Sequence, residues 1–151
     1  MRYWLMKSEP ETYSIDDLKR EGVSSWDGVR NYQARNFMRD EMRVGDRVLF
    51  YHSNARPPGV VGVAEVCSTP YPDHTARDKK SPYFDVKATE ENPIWMMVDI
   101  KFVKKFSEMV SLDEMRQMPE VQDMILLKKG QRLSVQPIEK KHYTAIVKRG
   151  G

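Results

Sequence analysis

Trp26-Asp27-Gly28-Val29-Arg30-Asn31-Tyr32-Gln33-Ala34-Arg35-Asn36, followed by Gly45-Asp46-Arg47-Val48-Leu49-Phe50-Tyr51-His52-Ser53, decides how this chain is understood. A large flat ring, a glycine-relieved turn and an Arg-Asn-Tyr cluster lie just ahead of a segment ending in Tyr-His-Ser. Arg47 to His52 is rich in β-formers and apolar on both faces, which predicts a central strand. Between the two blocks, Phe37, Met38 and Met42 give an apolar side to a helix predicted from Asn31 to Met42. A ring such as Trp26 can stack on a flat polar heterocycle while amides and hydroxyls meet its edge.

Upstream, Arg2 to Met6 predicts a short buried strand that stops at Ser8-Glu9-Pro10. Ser14 with Asp17 is a capping-type start to a helix, Ile15 to Glu21, which Gly22 ends. Gly22 to Ser25 is then loop, delivering Trp26. Downstream, the turn Asn54 to Gly59 leads to Val60 to Val66, a hairpin partner interrupted by Gly62, where a backbone or ligand can come close. Thr69 to Pro82 is a long irregular loop of the functional or mobile kind. Ile94 to Phe106 alternates as a long strand, and Ser111-Leu112-Asp113-Glu114 is a capping box for a short helix that Pro119 ends. Glu120 to Leu127 adds a helical turn or two, and Gln131 to Gln136 alternates as a half-exposed strand. After Pro137 a terminal helix carries Tyr143, Ile146 and Val147 on one face. This order has too few β-α alternations for a doubly wound sheet. It predicts an α+β fold, a curved mixed sheet or small barrel with helices packed around it. With no repeat, low-complexity segment or linker, residues 1–151 are expected to form a single domain.

Of the 151 residues 40% are hydrophobic and 31% charged, as in ordinary soluble domains. No apolar run approaches bilayer length, and Met1 to Leu5 leads into Lys7, Glu9 and Pro10 without a secretory core. The single cysteine, Cys67, rules out an internal disulfide or a cysteine-rich zinc site. Together these predict a cytoplasmic protein with no membrane association. Net charge is +3, unevenly spread: Lys128 to Gly151 holds seven basic residues against Glu139 alone, a net of +6 that leaves −3 for the rest. Such an end suits phosphate contacts and suits a solvated helix equally.

Groups for bond-breaking chemistry are not assembled. His52, His74 and His142 lie far apart and outside any two-histidine motif, so no metal is expected. His52 could approach Cys67 across neighbouring strands, but the thiol has no local cation to activate it and is better explained as a small buried residue. Gly59-Val60-Val61-Gly62 lies between strands rather than at a helix start, so it is no phosphate loop. No catalytic residue and no cofactor are predicted. Glu9 stands apart from the other acids: after a buried strand it could accept from a base's amino group, or simply be a turn residue held by Pro10. Trp4 and Trp95, within strands, are core candidates. Trp26, in a loop flanked by Asp27-Gly28, is less expected in a core, and one base stacked on it is worth about 1–3 kcal/mol. Arg132 and Ser134 share one face of their strand, and Arg30 and Arg35 could reach phosphates.

Several of these blocks, in order along nearly the whole chain, resemble the EVE domain family of the PUA-like superfamily. They are Trp4 to Pro10, Trp26 to Asn36, Phe50 to Ser53, Gly62 to Val66, Tyr71-Pro72-Asp73 and Gln131 to Val135. The resemblance implies a PUA-like mixed β-pseudobarrel of five to six strands with peripheral helices. It also implies kinship with YTH domains, which hold a methylated adenine in an aromatic cage. Lys7-Ser8-Glu9 is similar to the Lys-Ser-polar segment beside that cage, and Trp26 to its first tryptophan. This chain departs in having Glu9 there and in lacking a second loop tryptophan. The family's implied preference is for modified bases, notably modified cytosines.

The expected function is a non-catalytic reader of a modified base in DNA or RNA. Trp26 stacks the base; Ser8, Glu9, Asn31 and Ser53 meet its edge; Lys7, Arg30, Arg35 and Arg132 meet phosphates. Pro10, Tyr51 and Ser134 complete the expected site. Two other classes stay open. One is a hydrolase or transferase on a free nucleoside in the same cleft, with His52 or Glu9 as base. The other is a protein-interaction module built on the Tyr71 to Ser81 loop.

Overall fold

A mixed sheet of six strands, curled as a half-barrel, organises the computed structural model, which describes residues 1–151. Its strands are β1 (Tyr3–Ser8), β2 (Val23–Ser25), β3 (Arg47–His52), β4 (Gly59–Val66), β7 (Asp99–Ser111) and β8 (Val135–Ile138), in the order β2-β7-β4-β3-β1-β8. β1 runs parallel to β3, and every other pair is antiparallel. A separate two-stranded ribbon joins β5 (Tyr71–Pro72) to β6 (Met96–Met97). The helices are α1 (Ile15–Glu21), α2 (Tyr32–Asn36), α3 (Leu112–Met115) and α4 (Lys140–Gly150). The α+β class and the six-stranded sheet agree with expectation.

Alternation along the central strands divides the core in two. Trp4, Met6, Val48 and Phe50 face one layer with Ile15 and Leu18 of α1 and Ala34 of α2. Leu5, Leu49 and Tyr51 face the other, with Met115 of α3 and Ile146 of α4. α1 begins in a capping box, Ser14 accepting from Asp17 N–H while the Asp17 carboxylate accepts from Ser14 N–H. A second acceptor meets that helix start: His52 Nε2 takes the Ile15 N–H at 3.1 Å. Gly62 shows why a side chain is missing there. A Cβ would meet the Lys104 carbonyl and, at 3.0 Å, the Ile15 side chain, so a backbone and a helix come close rather than a ligand.

Several boundaries differ from expectation, for reasons of context. The predicted helix from Asn31 to Met42 is α-helical only to Asn36 and continues as one π-helical turn, Phe37–Glu41. Ile94 to Phe106 is not one strand. Ile94 has φ +62, Met96–Met97 pairs with Tyr71–Pro72, and β7 begins at Asp99 and runs on to Ser111. Val23–Ser25, expected as loop, is a short edge strand on β7. The last strand lies at Val135–Ile138 rather than Gln131 to Gln136, because Gln131 Oε1 takes the Leu133 N–H in a turn, at 2.9 Å. β8 is an edge, which is how it accommodates Pro137. His52 and Cys67 cannot approach: the antiparallel register pairs His52 with Gly59, at the opposite end of β4 from Cys67.

The His52 contact makes stability depend on pH. Burial holds its pKa below the ordinary imidazole value, and accepting the Ile15 N–H requires the neutral ring. The folded pKa is therefore depressed, so the contribution is complete above about pH 6.5, the unfolded value, and is lost as pH falls through the folded one. His52→Leu should cost about 1 kcal/mol at pH 7.5. It should also lose less of its remaining stability than the wild type between pH 7.5 and 5.5, as read from urea unfolding at both.

Candidate nucleic-acid interface

The parallel pair β1 and β3 ends side by side, Ser53 N–H donating to the Ser8 carbonyl at 3.0 Å. Lys7 N–H donates to the Ser134 carbonyl at 2.9 Å, bringing the approach to β8 alongside, and Trp26 N–H donates to the Val98 carbonyl at 2.8 Å. These strand ends border a cleft of about 1110 Å³. Trp26 lines it while packing edge-on against Phe50, ring centroids 5.5 Å apart, and is 8% exposed. Trp26 thus belongs to the buried core, contrary to the expectation for a loop tryptophan, and borders the cleft with its small exposed remainder.

The Trp26 loop is fixed by Asp73, whose carboxylate is fully buried. Its oxygens accept from Gly28 N–H at 2.8 Å, Arg30 Nη1 at 3.1 Å, Thr75 N–H at 2.9 Å and the Thr75 hydroxyl at 2.5 Å. Burial alone would raise its pKa; the donors from Thr75, Gly28 and Arg30 outweigh that and hold it below the usual carboxylate range. Gly28 has φ +79, and a Cβ there would stand 2.7 Å from the Tyr83 ring. Glycine is required twice over, by conformation and by space.

Of the expected site residues, Lys7, Ser8, Glu9, Trp26, Arg30, Ser53, Arg132 and Ser134 all border this cleft. Their availability differs. The hydroxyls of Ser53 and Ser134 and the exposed guanidinium of Arg132 have no partner within the protein. Glu9 meets only Asn54, at 3.5 Å. The Ser8 hydroxyl instead donates to the Tyr13 carbonyl at 2.5 Å. The Lys7 ammonium lies 5.9 Å over the Tyr51 ring, and loss of hydration lowers its pKa.

Arg30 does not offer itself to phosphate. All five of its N–H groups are spent on Asp73, Thr75 and the carbonyls of Val29 and Tyr83. Arg35 is likewise engaged, with the Ile94 carbonyl at 2.8 Å and the Asn36 side chain. The Asn31 side-chain amide oxygen accepts from Ala34 N–H at 2.9 Å as the cap of α2, so that oxygen is not presented to a base edge. Tyr51 falls in the second core layer, because it is one residue out of phase with Phe50. Pro10 lies outside the cleft lining.

Other lining groups were not anticipated: Thr12, Tyr13, Ser24, Ser25, Asp27, Asn54, Tyr83 and Gln131. Tyr83 sits in a loop 57 residues beyond Trp26, and nothing local in sequence ties the two. The Asp27 carboxyl is pushed up by partial loss of hydration and then by the Asp73 carboxylate. His52, one candidate base, has its lone pair committed to Ile15, and burial, then Asp99, pushes the Cys67 thiol up. The terminal basic end is not one surface, either. α4 packs on the second layer, Lys141 pairs with Asp123 at 3.0 Å and Arg149 pairs with Glu114.

A family model described as "EVE domain" matches residues 2–149. Thymocyte nuclear protein 1 of Rattus norvegicus is 41% identical over 164 residues, covering 96% of this chain and 72% of the relative. A solved structure of a protein from Leishmania major superposes with TM-score 0.95 at 52% identity, over 99% of this chain and 94% of that one. The structure of human THYN1 protein in complex with 5-methylcytosine-containing DNA has TM-score 0.89 at 38% identity, covering 99% and 98%. The relatives' name places them in the nucleus and overturns the cytoplasmic expectation. One cysteine and the lack of a long apolar run do not separate the two compartments. No helix of the chain is long and apolar enough to cross a membrane.

Removing the buried anchor should loosen this whole wall. Asp73→Ala leaves Arg30 partly buried without its counter-charge and should cost about 3 kcal/mol in urea unfolding. Gly28→Ala should cost about 1–2 kcal/mol from backbone conformation, and more from the Tyr83 contact. Combining it with Tyr83→Ala should recover only the second part, a non-additivity that a double-mutant cycle measures.

Proposed function

The chain belongs to the EVE domain family, and on that footing we propose that it is a non-catalytic module binding DNA through a modified cytosine. The relative bound to 5-methylcytosine-containing DNA supports the ligand class. The observation that carries the reading is a core-anchored tryptophan bordering a roomy cleft whose lining includes the unpartnered Ser53 and Ser134 hydroxyls and the free Arg132 guanidinium. Trp26 stacks the base. Tyr13 and Tyr83 are the aromatic groups available as further walls, taking the place of a second tryptophan. Glu9 accepts from the exocyclic amino group of cytosine, the one donor on that base's edge. Ser53 and Ser134 complete the edge contacts, and Arg132 meets a phosphate.

Extruding a base costs a few kcal/mol, so single strands and weakened pairs bind better than intact duplex. Arg132, with the neighbouring exposed Lys128 and Lys129, is the cationic group best placed to follow the backbone. Two observations disfavour the alternatives. The His52 lone pair is occupied, leaving Glu9 as the remaining candidate base for a nucleoside enzyme. The Tyr71 to Ser81 loop is drawn into the body by Asp73 and by the Tyr71 hydroxyl bound to Asp99, which does not suit a free docking loop.

Titration with single-stranded oligonucleotides differing only in one 5-methylcytosine tests the proposal. Trp26→Ala should lose about 1–3 kcal/mol and with it the preference for the methylated strand. Preserved discrimination in that variant removes Trp26 from the site. Glu9→Gln should weaken cytosine-containing ligands selectively. Arg132→Ala should lower affinity for all sequences alike and flatten the salt dependence.

A further inference from the structure

Tyr32 is 58% exposed, although one face of its ring is stacked on Trp95 at 4.8 Å and 25°. The Arg35 guanidinium stands 4.9 Å from the Tyr32 centroid and 5.9 Å from that of Trp95. Those three separations put Arg35 beside the two-ring stack, not on the outer face of Tyr32. The outer face is therefore bare. It is also rigidly backed: Trp95 is 5% exposed, and its indole N–H donates to Asp85 at 2.8 Å.

Side-chain packing links this ring to the cleft wall. Tyr83, in the cleft wall, packs on the Arg30 guanidinium at 5.7 Å; Arg30 packs on Trp95 at 5.2 Å; Trp95 stacks on Tyr32. One guanidinium and three rings follow one another along this row in steps of about 5 Å. The row is short enough for a few nucleotides, which rise about 3.4 Å each when stacked, to pass from one end to the other. We propose that the outer face of Tyr32 stacks a nucleobase flanking the one held in the cleft, so that the protein grips a strand at two points. The proposal rests on the cleft reading above. An exposed, pre-ordered aromatic face is the sequence-tolerant element of single-strand binding.

Tyr32→Ala and wild type are compared with single-stranded DNA nonamers carrying one central 5-methylcytosine and with 5-methyl-2′-deoxycytidine 5′-monophosphate, which has no flanking base. Tyr32→Ala should weaken the nonamer about five-fold or more, the effect of losing one stacked base. Monophosphate binding and the nonamer's preference for methylated over plain cytosine should be unchanged, and Tyr32→Phe should restore nonamer affinity. With 2-aminopurine substituted at each flanking position in turn, one position should be quenched by the wild type and recover in Tyr32→Ala. Unchanged nonamer affinity, or equal loss on nonamer and monophosphate, overturns the platform while wild-type discrimination keeps the cleft reading intact. A wild type that does not discriminate methylated from plain nonamers overturns both.

Discussion

A buried carboxylate cannot remain charged in a protein interior without donors, and Asp73 draws its donors from the segment that carries Trp26. Gly28 N–H, the Arg30 guanidinium and Thr75 converge on it from two stretches more than forty residues apart. Satisfying that charge fixes where the loop after β2 turns, hence where the indole faces. It also decides the fate of Arg30. A residue that looks like a phosphate ligand in sequence has its guanidinium fully engaged as a structural clamp, leaving the cleft with fewer free cations than its composition suggests.

The second constraint is the parity of the sheet. Successive side chains on β1 and β3 point to opposite layers, so Phe50 supports Trp26 while Tyr51 serves the layer beneath α3 and α4. The same division sends the basic terminal helix to the side away from Trp26, where two of its cations meet Asp123 and Glu114. What reaches the cleft from the basic end is the segment around Arg132. The cleft therefore offers rings and polar edge groups rather than a broad positive surface, which is what the proposed base reader requires.

The chain by itself determined the class of fold, the buried central strand β3, the Ser14-Asp17 capping box and the glycine-relieved turn beside Trp26. These are local matters: side-chain period, turn chemistry, and an aromatic residue in a glycine loop. Tertiary structure alone decided which candidates share a cleft. Tyr83 borders it through long-range packing that no spacing rule encodes. Arg30, Arg35 and Asn31 were withdrawn because donors and acceptors pair with whatever lies nearest in space, and those neighbours were set by Asp73, Ile94 and the start of α2. Tyr51 alone could have been placed from sequence, since a strand's two-residue period already puts it on the face opposite Phe50.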